Sequence, residues 1–193
     1  MRQMVIVLTA VMVLSALVLA GTYAGLSPQI EANRVAALNA SLSSIFAGAA
    51  DGVDPEDLLF EELESDGPTI YRGSTEGGDS LGYAVRVQTQ GYGGSITLLV
   101  GLSSDLETIE GIEVVEQVET PGLGGNITNE SFKEQFGGLS TEEQISYVRN
   151  VEPDKQQNEI QAISGATITS RAIVSGVNEN LDDAIEIIER QGE

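Results

Sequence analysis

Thr169-Ser170-Arg171-Ala172-Ile173-Val174-Ser175-Gly176-Val177-Asn178-Glu179-Asn180-Leu181-Asp182-Asp183-Ala184-Ile185-Glu186-Ile187-Ile188-Glu189-Arg190 carries the clearest periodicity in the chain. Val174, Val177, Leu181, Ala184, Ile185 and Ile188 recur at three- and four-residue spacing, with Glu179, Asp182, Asp183, Glu186 and Glu189 between them. This pattern predicts a long amphipathic helix from about Thr169 to Arg190. A helix with one apolar stripe must bury it against another layer, and that layer has to come from upstream.

The upstream sequence supplies a sheet. Leu81-Gly82-Tyr83-Ala84-Val85-Arg86-Val87 alternates in part, and Gly91-Tyr92-Gly93-Gly94 is a turn into Ser95-Ile96-Thr97-Leu98-Leu99-Val100-Gly101. After Ser103-Ser104-Asp105, a third β-rich run extends from Thr108 to Val118. Gaps this short join neighbouring strands antiparallel, so a meander is expected. Phe132 to Phe136 and Thr141 to Val148 read as short helices, with Thr141 as an N-cap. Between Asp51 and Ser80 the Pro, Gly and acidic residues indicate loops around one short helix and one or two short strands.

The opposite end of the chain is apolar. Met4 to Leu26 reads MVIVLTAVMVLSALVLAGTYAGL, and about 20 such residues in a helix cross a bilayer core. Val18-Leu19-Ala20 also resembles a signal-peptide cleavage site. The apolar run exceeds the roughly 7–15 residues of a signal h-region, which favours a retained anchor. Arg2 and the amino terminus hold the only positive charge before the span. A count of basic residues therefore puts the N-terminus inside and the rest on the outer face of the cytoplasmic membrane. Pro28 is expected to punctuate the exit from the span. Ile30, Val35, Leu38, Leu42, Ile45 and Phe46 then predict a juxtamembrane helix. The expected organisation is a transmembrane anchor over 1–26, a juxtamembrane helix over 27–50 and an extracytoplasmic domain over 51–193. The fold class is α+β: a transmembrane helix, then a mostly antiparallel sheet packed with helices, including the long C-terminal one.

Composition narrows the chemistry. After Leu26 the chain holds eight basic residues against thirty acids, a net −22 over 167 residues. Eight scattered cations do not make a nucleic-acid surface. With no Cys there is no disulfide, iron–sulfur cluster or thiol nucleophile, and with no His there is no imidazole base. Redox or group-transfer chemistry therefore needs a bound cofactor or carboxylates. The acidity either reflects a solvated, salt-adapted surface or guides a basic partner.

Two segments stand out. Ile160-Gln161-Ala162-Ile163-Ser164-Gly165-Ala166-Thr167-Ile168-Thr169-Ser170-Arg171 runs through a Ser-Gly turn into the terminal helix, and no acid occurs from Ile160 to Asn178. Free amides and the positive end of the helix dipole favour an anion there, and Ser164, Thr167, Thr169 and Ser170 are potential donors to it. Ordinary helix capping by Ser and Thr explains the same residues. Glu119-Thr120-Pro121-Gly122-Leu123-Gly124-Gly125-Asn126 follows a β-rich run and offers close backbone approach to a flat ligand; a plain turn is the simpler reading.

Ser164-Gly165-Ala166-Thr167 followed by Ile168-Thr169-Ser170-Arg171-Ala172, with Glu119-Thr120-Pro121-Gly122-Leu123-Gly124 upstream, resembles the FMN-binding domain of the G subunit of Rnf-type ion-translocating electron transport complexes. The C subunit of the sodium-translocating NADH:quinone reductase is a related family. The resemblance spans nearly the whole chain and implies FMN joined through its phosphate, as a phosphoester, to the Thr167 hydroxyl by a dedicated flavin transferase. It further implies cofactor contacts from Ser164, Gly165, Ala166, Thr169 and Ser170, with Glu119, Thr120, Gly122, Leu123 and Gly124 against the isoalloxazine. The implied role is that of an electron carrier beside other integral-membrane and redox subunits. Gln161 departs from the family's motif, which usually has Asp at that position. A stand-alone anchored flavoprotein, a relative of the quinone-reductase C subunit and a flavin-free binding module are the alternatives.

Overall fold

The structure, a computed structural model, describes residues 2–48, 54 and 57–192. It divides into two compact units, Met1–Asn39 and Ala40–Glu193.

The described residues of the first unit are all helical. Helix α1 runs from Arg2 to Ile45, and its last residues belong to the second unit. Its best 18-residue window has a mean hydropathy of 2.7 with none of it buried, so this helix is long and apolar enough to cross a membrane. Pro28 lies inside α1 and does not separate an anchor from a second helix. Proline removes one i to i−4 hydrogen bond, and the helix formers on both sides carry the helix past it.

The second unit is built on a five-stranded antiparallel meander. Strands β1 (Leu58–Leu63), β2 (Ile70–Thr75), β3 (Ser80–Gln90), β4 (Ser95–Leu102) and β5 (Ile109–Gln117) lie side by side in chain order. The expected strands in the centre and the turn at 91–94 are thus observed, with Gln90 opposite Ser95. The two short strands expected between Asp51 and Ser80 are β1 and β2; residues 51–53, 55 and 56, within the stretch assigned one short helix, lie outside the described residues.

Between β5 and the C-terminal helix the chain forms a 3₁₀ turn (Gly124–Thr128), the one-turn helix α2 (Glu130–Lys133) and a small parallel pair, β6 (Ser146–Val148) with β7 (Glu159–Gln161). Residues 141–148 are not helical, and Thr141 caps nothing. Its amide donates to the Glu107 carbonyl at 3.0 Å and its hydroxyl to the Leu106 carbonyl at 2.5 Å. Distant side chains satisfy the backbone a helix would have used. The buried Asn158 amide bonds the Ser140 N–H at 2.8 Å and the carbonyls of Ser140 and Glu143 at 3.0 and 2.7 Å. Asn178 does the same for both backbone groups of Ile145.

Helix α3 (Thr167–Gly192) covers one face of the five-stranded sheet. Ile173, Val174, Val177, Leu181, Ala184 and Ile188 share one core with Val85, Val87, Ile96, Leu98 and Val100. The Thr89 hydroxyl donates to the Ala172 carbonyl at 3.0 Å, and Gly176 lets the helix approach Thr89 closely. The end of α1 meets the sheet at glycines: a Cβ on Gly101 would collide with Ile45, and one on Gly73 would stand 3.3 Å from Phe46. Phe46 is buried and its ring lies 6.1 Å from that of Phe60.

Candidate functional site

A cavity of about 400 Å³ opens where the loop after β5 meets the start of α3. It is lined by Tyr92, Glu119, Thr120, Leu123 and Gly124 on one side and by Gly165, Ala166, Thr167, Ile168 and Thr169 on the other. Both segments singled out in the sequence therefore meet at one place, although about fifty residues separate them. Two further hollows, of about 680 and 400 Å³, adjoin the β1–β2 connection. Glu62, Glu64, Asp66, Asp183 and Glu186 line them, so they are poor hosts for a phosphate.

Local backbone chemistry shapes each wall. In the loop after β5 the Thr120 carbonyl accepts from the amides of Leu123 and Gly125, at 3.1 and 3.0 Å, which folds the loop back on itself. The Asn126 side chain closes it with a bond to the Gly122 carbonyl at 3.1 Å. Before α3, Gly165 adopts a φ of +79°, a left-handed conformation that glycine takes without strain. A Cβ there would lie 3.1 Å from Leu123 Cδ2, so the two walls touch. Gly124 is equally restricted: a Cβ would collide with Glu119 Oε2 and stand 2.8 Å from Thr169 Oγ1.

The four hydroxyls of the Ser-Gly-Ala-Thr segment divide sharply. Thr169 is buried and donates to Glu119 Oε2 at 2.9 Å. Ser170 is fully buried, donates to the Ala166 carbonyl at 3.2 Å and accepts from the Ile163 amide at 3.0 Å. Ser164 is exposed and does not line the cavity. Thr167, half-buried at the first position of α3, lines the cavity and makes no side-chain hydrogen bond to the other described residues. The first amides of α3 have no intrahelical acceptor, so the helix presents donors and a positive dipole end beside that hydroxyl.

Of the sequence candidates, Ser164, Gly122 and Ser170 do not line the cavity, and the remainder do. Arg171 is exposed and also lies outside the lining. Gln161 is tied into β7, its amide donating to Gln135 Oε1 at 2.6 Å and its side chain to the Val151 carbonyl at 2.8 Å. Tyr92 and Ile168 were not singled out from the sequence. Both are exposed, at 73% and 49%, and join Leu123 in an apolar rim around the opening. The detectable signal was an aromatic residue inside a glycine turn and an isoleucine off the buried stripe of α3.

These features fit FMN. The volume is within the range of small-ligand sites, which begins at about 300 Å³. Glycines clear the approach, an uncommitted hydroxyl sits at a helix N-terminus, and apolar side chains surround the mouth. Similarity to known proteins points the same way. Residues 91–182 match the FMN-binding domain family. The chain is 32% identical over 183 residues to the G subunit of the ion-translocating oxidoreductase complex of Methanosarcina acetivorans, covering 93% of this chain and 92% of that one. It is 38% identical over 128 residues to the G subunit of the Na(+)-translocating ferredoxin:NAD(+) oxidoreductase complex of Acetobacterium woodii, covering 66% of this chain and 56% of that one. The crystal structure of Shewanella oneidensis NqrC shares the fold with a TM-score of 0.53 at 21% identity, covering 65% of this chain and 64% of that one. An apolar helix, an FMN-binding fold and near full-length similarity to one curated relative lead to a single assignment: the chain belongs to the G-subunit family of Rnf-type ion-translocating oxidoreductase complexes.

Proposed function

We propose that this chain carries FMN esterified through its phosphate to Thr167, and that it works as an electron carrier held at the outer face of the cytoplasmic membrane by α1. One observation carries the attachment site: of the four hydroxyls in the segment, Thr167 alone both lines the cavity and is uncommitted among the described residues. Bound FMN supplies the redox chemistry, and the chain supplies tethering, orientation and electrostatics. The amides opening α3 and the dipole behind them hold the phosphodiester. Gly124 and Gly165 admit the cofactor close to the backbone, and Tyr92, Leu123 and Ile168 give it apolar contact. Ser170 acts one step back by fixing the turn through Ala166 and Ile163. A flavin transferase installs the bond, so Thr167 is a modification site and not a nucleophile of this protein's own reaction. Neighbouring membrane and redox subunits donate and accept the electrons.

A denaturing gel viewed under ultraviolet light tests the core of this reading. Yellow-green fluorescence that survives denaturation in the wild-type band and vanishes in Thr167→Val is expected; a dark wild-type band refutes covalent flavin. Protease added to the outer face of sealed cells is expected to digest the body, and full protection would reverse the orientation. Isolation always free of other membrane subunits would favour a stand-alone flavoprotein.

A further inference from the structure

Of the thirty acids in the sequence, Glu119 is the one that is buried among the described residues, at 7% exposure. It has no cationic partner there: the three ion pairs among those residues engage Glu113, Glu130 and Glu186. Its carboxylate is met by two neutral donors instead, the Gly93 amide at 2.7 Å on Oε1 and the Thr169 hydroxyl at 2.9 Å on Oε2. Three segments thereby converge on one side chain: the 91–94 turn, the loop after β5 and the first turn of α3. The space around it is kept clear by glycines, since a Cβ on Gly91 would collide with Oε1 and one on Gly124 with Oε2. The same side chain lines the cavity wall.

Two neutral donors offset only part of the desolvation cost of a buried carboxylate, and a Gln, with one acceptor oxygen, would meet one of them and leave the other unpaired. A charge retained at that cost, in the wall of a ligand cavity, acts on the ligand. We infer that Glu119 is a positioning residue with two effects. It latches the 91–94 turn, the loop after β5 and α3 around the cavity, and its fixed negative charge holds the potential of the bound flavin low. The inference rests on the FMN reading above. Reduction adds electron density to the flavin, and a nearby negative charge in a poorly hydrated wall opposes that addition.

The test is a spectroelectrochemical titration of the full chain, purified in detergent with its flavin, beside Glu119→Gln and Thr169→Val. Glu119→Gln removes the charge and raises the midpoint potential. Thr169→Val keeps the charge and strips it of one donor, taking the potential below that of the parent. Loss of a purely structural tie would shift both variants the same way. An unchanged or lowered potential in Glu119→Gln, or an unchanged or raised one in Thr169→Val, overturns the electrostatic assignment. Should Glu119→Gln fail to fold, Thr169→Val decides alone: a lowered potential supports the electrostatic assignment, and an unchanged or raised one overturns it. The latch is read separately in the Thr167→Val chain, without covalent flavin: adding Glu119→Gln lowers the thermal midpoint, and an unchanged midpoint overturns the latch. A parent chain that purifies without flavin would refute the FMN reading instead, and the thermal comparison would still decide the latch.

Discussion

Lys133 is the buried cation among the described residues of the body, with its ammonium 2.6 Å from Glu113 and 2.8 Å from Glu130. Burial alone pulls its pKa down, but the hydrogen bonds and charges of Glu113 and Glu130 together outweigh burial and hold it above the ordinary 10.5. The folded state thus favours the charged form. The stability this contributes is complete below the ordinary lysine value and is lost as pH rises through the raised one. Lys133→Met is expected to cost about 1–2 kcal/mol at neutral pH, a reduced figure because Glu130 is largely exposed. It should also flatten the loss of stability above pH 10.5, both effects being measurable by urea denaturation across the alkaline range.

At the scale of elements, the site depends on what delivers α3 to the sheet. Strand β7 leads directly into the Ser164–Thr167 turn, and β7 is held by pairing with β6 and by the Asn158 clamp. Asn158 sits at a φ of +55°, a left-handed position that costs an ordinary side chain more than Asn. Asn158→Ala strands an amide and two carbonyls around residues 140–143 and is expected to destabilise the body by about 2–3 kcal/mol. Its flavin content should fall as well, because the turn before Thr167 loses its support; absorbance per protein together with thermal melting checks both.

Across the whole body, the acids of α3 stand apart from the cavity, whose wall holds the one buried carboxylate among the described residues, Glu119. The acids of α3 from Glu179 to Glu189 lie 12 to 22 residues past Thr167. That is about 18–33 Å along the axis, well beyond a Debye length of about 8 Å at physiological salt. These acids therefore exert little field at the cavity mouth, whose rim is apolar. Their main effect is self-repulsion within a body of net −22. Raising salt from about 0.02 to 0.5 M at neutral pH is expected to increase the thermal midpoint by roughly 2–4 °C, equivalent to about 1 kcal/mol for a domain of this size. A midpoint that falls with salt would show that the acids are paired rather than repelling.

What local periodicity controls was legible in the sequence: the apolar run of α1, the stripe of α3, the three central strands and the glycine turn between Gln90 and Ser95. Each depends on residues a few positions apart, so the pattern is its own cause. The two segments that line the cavity were also marked by their glycines and hydroxyls. Only the tertiary structure decided which hydroxyl is available, because the hydrogen bonds that occupy Thr169 and Ser170 come from Glu119, fifty residues away, and from the folded turn. Residues 141–148 illustrate the same limit. Their helical appearance was overruled when Asn158 and Asn178 took their backbone groups and β7 paired with 146–148. Pro28 errs in the other direction, a local breaker signal overridden by the helix on either side. Short-range patterns determine elements, whereas partners far apart in sequence determine which polar groups remain free to hold a cofactor.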